Sequence, residues 1–358
     1  MNPTQTLHGL GQSLWLDDIT RDLLDRGTFK RYVEEFSVTG LTSNPTIFAA
    51  ALANSSAYDS GIRAGMRART QDEELFVELA LEDLRRAADL LRPAFVATDG
   101  IDGWVSMEVS PLLANDTAGT IEAAARIFAQ ADRPNLFVKI PGTPAGIAAI
   151  EASIFAGIPI NVTLLFSCEQ YLAAAEAYMR GIERRVAAGL SPRVASVASL
   201  FVSRWDKAVG DTVPADLRNR LGIAISGRTY HAYRELLSSQ RWRELAAKGA
   251  RPQRLLWAST GTKDPAAPDT LYVAALAAPD TINTMPEKTL QAFADHGRVA
   301  ATMPTDGAAA EATLLRFKQA GVDVDAVAEK LQSEGAQSFV KSWQQLMQGL
   351  SAKKAAVA

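Results

Sequence analysis

"LFVKIPGTPAGI", residues 136–147, decides how the rest of the chain is read. Its first half is an apolar run of strand character with a lysine, Lys139, inside it. Its second half holds a helix start, with Thr143 in the N-cap place and Pro144 at the first helical position. A buried strand passing straight into a helix is half of a β/α unit, and parallel strands need such helical crossovers. Outward from this stretch the alternation recurs. Strand-like runs occur at 13–18, 39–45, 103–109, 158–166, 194–203 and 254–260, with a weaker one at 281–285. Runs this continuously apolar predict burial on both faces.

Helical patterns fill the gaps. Over 71–92, Leu75, Leu79, Leu84, Ala88 and Leu91 recur at helical spacing, and Thr70 with Glu73 predicts a capping box. Asp116 or Thr117 is expected to cap a helix running to about Ala131, and Ser167 with Gln170 to box one over 168–188. A last helix is expected from about Asp323 to Leu350, with "SAKKAAVA" fraying behind it. Eight such units predict an α/β fold, a closed (β/α)8 TIM barrel, as a single domain over 1–358. Helical insertions are expected at about 46–97 and 205–248, and a helical extension at about 306–350. The rival is a doubly wound open sheet. Its Gly-rich phosphate turn follows the first strand, whereas Gly9 and Gly11 precede it here.

Composition narrows the function classes. The chain has 358 residues, 47% hydrophobic and 22% charged, within the ordinary range for a globular protein. The net charge of −3, with both signs mixed, gives no footprint for a nucleic acid. No apolar run reaches the ~18 residues of a membrane span. "MNPTQTLHGLGQ" has neither a basic nor an apolar region of the kind a signal peptide carries. Cys168 is the one cysteine, so no internal disulfide forms, and a reducing, cytoplasmic setting is expected. His8, His231 and His296 are far apart and lack ligand spacing, so no metal site is expected. A homo-oligomer is compatible with the sequence.

In a (β/α)8 barrel, chemistry gathers at the C-terminal ends of the strands. Those ends are polar here. Asp17 closes the first strand, and Thr42 and Asn44 close the second. Glu108 stands in the third, Lys139 in the fourth, Asn161 and Thr163 in the fifth. Ser199 and Arg204 bracket the end of the sixth; Ser259 ends the seventh, with Lys263 just beyond. Each has a plainer reading as well. Asp17 can cap a helix, Asn44 before Pro45 can be turn chemistry, Lys139 can snorkel, and Arg204 and Lys263 can be solvated. Glu108, between Met107 and Val109, needs a partner or a function. Two cations at neighbouring strand ends also suit a phosphate.

An amine caged by apolar groups is penalised as a cation, and a fall of about three pKa units brings such a group near neutrality. A free amine attacks a carbonyl to form a Schiff base. The resulting iminium stabilises a carbanion at the adjacent carbon, which aldol cleavage requires.

Several blocks together resemble the transaldolases, in the longer bacterial form. They are "LWLDD", "LTSNPTIF", "VSMEVSP", "VKIPGTPAGI", "INVTLLFS", "SLFVSRWD", "WASTGTKDP" and "TINTMPEKTL", spanning about residues 14–290. The resemblance implies a (β/α)8 barrel and a metal-free, cofactor-free Schiff-base mechanism. It implies sugar-phosphate substrates and transfer of a dihydroxyacetone unit from sedoheptulose 7-phosphate or fructose 6-phosphate to an aldose phosphate, in the non-oxidative pentose phosphate pathway. By the same resemblance, Lys139 is the Schiff-base lysine and Asp17 the acid/base for the donor C4 hydroxyl. Glu108 and Thr163 activate a water. Asn44 and Asn161 hold the hydroxyls of the dihydroxyacetone unit, with Thr42 and Ser199 lining the pocket. Arg204 and Ser259 bind phosphate. The shorter transaldolases carry an arginine two residues after this serine, where Gly261 stands here, so Lys263 is expected to supply the second cation. A related branch, the fructose 6-phosphate aldolases, has Gln in place of Glu108 and Tyr in place of Phe201; it releases free dihydroxyacetone. The residues here favour transfer. The alternatives are such a lyase, or a non-catalytic barrel that binds sugar phosphates.

Overall fold

In the computed structural model, which describes residues 2–358, eight parallel strands close into one barrel in sequence order. They are β1 (Ser13–Asp17), β2 (Val38–Thr42), β3 (Trp104–Glu108), β4 (Leu136–Pro141), β5 (Ile160–Leu165), β6 (Ser196–Phe201), β7 (Gln253–Ala258) and β8 (Ile282–Met285). β1 pairs with β8, so no strand edge is left open. The open-sheet rival is thereby excluded. The expected strands are all present, and most are a residue or more shorter than their apolar runs. The trimmed residues lie at both ends, as at 158–159 and 166 around β5.

Strand alternation sorts the interior into layers. Near the N-terminal end, Trp15 of β1, Trp104 of β3 and Phe137 of β4 form an aromatic plug. Trp104 and Phe137 stack at 4.0 Å between centroids, and Trp15 lies 6.1 Å from Phe137. The Trp15 indole N–H donates to Asp102 at 3.0 Å. Gly40, the register partner of Trp15, makes room for the indole. A Cβ at position 40 would sit 2.4 Å from the ring. The apolar plug leaves the polar residues grouped at the opposite end.

Sixteen α-helices surround this barrel among the described residues. Caps explain several starts. Asp116 accepts from the Gly119 N–H, Thr143 from Gly146, and Ser167 forms a capping box with Gln170, as expected. The box expected from Thr70 and Glu73 does not form. Gln71 is the N-cap and makes no side-chain bond. Asp72, Glu73 and Glu74 instead place negative charge in the first turn, which the helix dipole favours. That helix, Asp72–Ala97, also runs past the expected end and carries Pro93 within it. The stretch between β2 and β3 folds as three helices, Pro45–Asn54, Asp59–Ala68 and Asp72–Ala97. That between β6 and β7 holds Ser203–Val209, Leu221–Ser238 and Gln240–Ala247.

The tail differs most from expectation. Residues 351–357 are helical, not frayed, and complete a 34-residue helix, Val324–Val357. Side chains tie this end down. Ser351 and Lys354 donate to Asp72, Lys353 donates to the Ser55 carbonyl, and Arg63 donates to the Val357 carbonyl. Further back, Gln332 of the same helix donates to the carbonyls of Gly142 and Leu164, at the ends of β4 and β5. The helix therefore crosses the C-terminal mouth of the barrel. No helix among the described residues is long and apolar enough to cross a membrane.

Gly40→Ala is expected to lower stability by about 2–3 kcal/mol, because the indole beside it cannot give way without disturbing the plug. Urea denaturation followed by far-UV circular dichroism checks this.

Candidate active site

The polar end of the barrel is organised by register. Glu108 of β3, Lys139 of β4 and Asn161 of β5 are successive partners across the ladder, so their side chains stand abreast. On the far side, Asp17 of β1 partners Thr42 of β2. A cavity of about 130 Å³ lies above them at the mouth. Ten of the twelve residues singled out from sequence line it: Asp17, Thr42, Asn44, Lys139, Thr163, Ser199, Phe201, Arg204, Ser259 and Lys263. Glu108 and Asn161 are not on that wall. They flank Lys139 on the neighbouring strands.

Lys139 is nearly fully buried. Its surroundings are more polar than an apolar cage. Nζ donates to the Ser43 carbonyl at 2.9 Å and lies 3.8 Å from Glu108 Oε2. Val138 and Ile140 point to the other face of the strand, toward the helices. The Ser43 hydroxyl donates to the Ser106 carbonyl, which ties that peptide to β3.

Of the residues named above, Glu108 and Thr163 carry buried side-chain oxygens with no hydrogen-bond partner within the protein: both carboxyl oxygens of Glu108 and the hydroxyl of Thr163. Such groups are costly unless a ligand or water completes them. Burial pushes the Glu108 carboxyl from an ordinary 4.5 up to about 7; the charge of Asp17 adds to the rise and that of Lys139 opposes it. Asp17 is also raised, chiefly by burial, against the charge of Lys139 and the hydrogen bond from Thr42. Its neighbour Asp18 is raised to about 6 by burial, Glu287 and Asp17, and is half-buried outside the cavity wall.

Asp17 is held by a hydroxyl chain. Thr42 donates to Asp17 Oδ1 at 2.8 Å and lies 2.7 Å from the Thr284 hydroxyl. A hydroxyl has one proton, so Thr284 is the donor to Thr42 while Asp17 is ionised. A second chain spans β3, β5 and β6: Ser199 donates to Asn161 Oδ1 at 2.7 Å, and Asn161 Nδ2 donates to Ser106 at 3.2 Å. Asn44 has both of the roles weighed for it. Its Oδ1 caps the helix Pro45–Asn54 through the Ile47 N–H, while the residue lines the cavity.

The cationic side is built at the ends of β6 and β7. Arg204 lies in the first turn of Ser203–Val209, its guanidinium 5.1 Å from the Phe201 ring centre, an attractive cation–π arrangement. Burial lowers its pKa and the Asp17 charge opposes this. The Ser259 hydroxyl meets that of Ser203 at 3.0 Å. Ser259 adopts a left-handed φ of 56°, which turns the chain sharply after β7. Lys263 folds back into this region. Its ammonium lies 3.8 Å from where a Cβ at Gly261 would stand. It thus occupies space that a side chain from position 261 would reach.

Thr284, Pro286, Gly261, Ala258 and Phe339 also line the cavity and were not anticipated. Thr284 and Pro286 follow the strand-end rule for β8, so that rule applied to the weakest strand would have found them. Phe339 comes from the crossing helix, and no local pattern marks it. Among the described residues no group of three or more His, Cys, Asp or Glu side chains is placed to hold a metal ion.

A buried amine beside a carboxyl that accepts no hydrogen bond, with a second carboxylate and a cationic rim, suits carbonyl chemistry on an anionic substrate. The family model of transaldolase/fructose-6-phosphate aldolase matches residues 14–350. The chain belongs to the transaldolase/fructose-6-phosphate aldolase family. It is 45% identical to a transaldolase of Thermobifida fusca, over 99% of each chain. It is likewise 45% identical to a transaldolase of Thiobacillus denitrificans, over 97% of this chain and 99% of that one. A protein named transaldolase 2 of Nostoc punctiforme is 42% identical over 96% of this chain and 95% of its own. The closed barrel agrees with what the resemblance to transaldolases implied.

The raised Glu108 pKa has a consequence for stability. The folded protein holds a proton that the unfolded chain releases near pH 4.5, so this group's contribution is full below that pH and lost as pH rises through about 7. Glu108→Gln removes the titration. Its stability relative to the unsubstituted protein should improve by on the order of 2–3 kcal/mol between pH 5 and pH 8.5. Paired urea titrations at the two pH values measure it.

Proposed function

We propose that this family member is a transaldolase that carries a dihydroxyacetone unit on Lys139, taking it from sedoheptulose 7-phosphate or fructose 6-phosphate. The observation that carries the reading is the Glu108–Lys139 pair: a buried amine 3.8 Å from a carboxyl with no hydrogen-bond partner.

The chemistry follows from the placement. The Lys139 amine adds to the donor's C2 carbonyl, and loss of water leaves an iminium. Glu108, near half-protonated at pH 7, and the Thr163 hydroxyl manage that water in both directions. Asp17 takes the proton from the C4 hydroxyl. The C3–C4 bond breaks, the electron pair passes into the iminium, and an aldose phosphate leaves. The enamine then attacks an acceptor aldehyde, and Asp17 returns its proton to the new C4 hydroxyl. Water releases the product ketose and restores the amine. Burial favours Asp17 holding a proton between the half-reactions, and the Thr42–Thr284 chain keeps its carboxyl oriented. Asn44 and Asn161 suit the hydroxyls of the three-carbon unit, beside Thr42 and Ser199.

Arg204 and Ser259 suit the phosphate, and the position of Lys263 over Gly261 supports it as the second cation. Phe201, whose ring cannot hydrogen-bond a water, and the carboxyl of Glu108 favour transfer over release of free dihydroxyacetone. We also read the chain as a single domain whose helical insertions and terminal extension pack on one barrel.

Borohydride reduction in the presence of fructose 6-phosphate should attach a three-carbon adduct to Lys139, found by peptide mass spectrometry. Lys139→Arg should lose the adduct and cut transfer by roughly three orders of magnitude or more. An unmodified 136–147 peptide in folded protein contradicts the mechanism. Lys263→Ala is expected to raise KM for phosphorylated acceptors about tenfold while leaving KM for unphosphorylated glyceraldehyde nearly unchanged, in coupled steady-state assays. An equal effect on both acceptors removes Lys263 from the phosphate site.

A further inference from the structure

Eight strands do not enclose the mouth of this barrel by themselves. The crossing helix Val324–Val357 supplies another wall, through three residues at spacing i, i+3 and i+7 on one face. Gln332 bonds the carbonyls at the ends of β4 and β5. Gly335 brings the helix close. A Cβ there would lie 3.0 Å from Leu164 Cδ2 and 3.5 Å from Arg204 Nη1. Phe339, 8% exposed, then lines the cavity beside Arg204 and Phe201.

We propose that Phe339 is a specificity-determining residue: its ring keeps solvent from the bound three-carbon unit, so that the unit leaves on an aldose phosphate and not as free dihydroxyacetone. This rests on the transaldolase reading above.

The competing reaction is simple. The enamine carbon takes a proton from water, giving the iminium of dihydroxyacetone. A second water adds to that iminium, the C–N bond breaks, and free dihydroxyacetone leaves as the Lys139 amine is restored. No oxidant or other reactant is consumed. What limits it is water at the mouth. The cavity of about 130 Å³ has room for water beside the reacting atoms. Phe339 is the one residue of the cavity lining contributed by the crossing helix. Its helix is held by Gln332 at one end and by the Asp72, Ser55 and Arg63 contacts at the other, so the ring is carried on a fixed support.

The test is a graded series, Phe339→Leu, Phe339→Val and Phe339→Ala, each given fructose 6-phosphate with and without erythrose 4-phosphate. The readout is free dihydroxyacetone released per sedoheptulose 7-phosphate formed when the acceptor is present, and the rate of dihydroxyacetone release when it is absent, with thermal melts as a check of folding. The ratio should rise as the side chain shrinks, reaching about tenfold or more in the smallest variant that folds. A flat ratio across folded variants that still form the borohydride adduct overturns the proposal and leaves the mechanism intact. Absence of that adduct in the unsubstituted protein overturns both.

Discussion

The ladder between β3, β4 and β5 sets Glu108, Lys139 and Asn161 side by side, and the rest of the site is arranged around that alignment. A lysine and a carboxyl buried together are costly to ionise singly. Here the cost is met in a particular way. Lys139 keeps one backbone carbonyl, that of Ser43, while Glu108 keeps no hydrogen bond within the protein and has its pKa pushed to about 7. The arrangement leaves an unmet demand for a polar partner beside the Lys139 amine, where the proposed chemistry would place a carbonyl carbon and a water. The backbone ladder makes this possible, because strand pairing fixes side-chain positions far more rigidly than a loop does.

The division of the barrel interior serves the same end. Trp15, Trp104 and Phe137 place an apolar layer beneath the site. Above them the hydroxyl chains Thr284–Thr42–Asp17 and Ser199–Asn161–Ser106 replace the solvent that would otherwise orient these groups. Asp17 and Glu108 are both raised by burial, yet Asp17 receives a hydrogen bond and Glu108 does not. Similar carboxyls thus meet different environments, the kind of difference that lets two carboxyls in one cavity take separate acid–base roles.

Much of this was legible in the sequence, for definite reasons. A parallel strand buried on both faces is apolar throughout, so Lys139, Glu108 and Asn161 stood out as interruptions. The strand-to-helix passage at Pro141–Pro144 showed the β/α unit, and the alternation gave eight of them. The pairing of Lys263 with Gly261 could be guessed only as a spacing; the fold-back of the ammonium is a matter of tertiary contact. The crossing helix was foreseen as a helix, but not its path. Its bonds join positions 332 and 164, or 354 and 72, and contacts of that separation leave no periodic trace. Phe339 was hidden for the same reason. The tail misread as frayed is held by charges on another helix, which local composition does not reveal.

Because Val324–Val357 follows all eight strands in the chain, a growing polypeptide can close its barrel before this helix exists. At that moment Lys139 lies at a mouth not yet covered by the crossing helix. Only when the final turns fasten to Asp72 and Arg63 does the mouth acquire its roof. In chain order, the wall that carries Phe339 is therefore the last part of the cavity to be made.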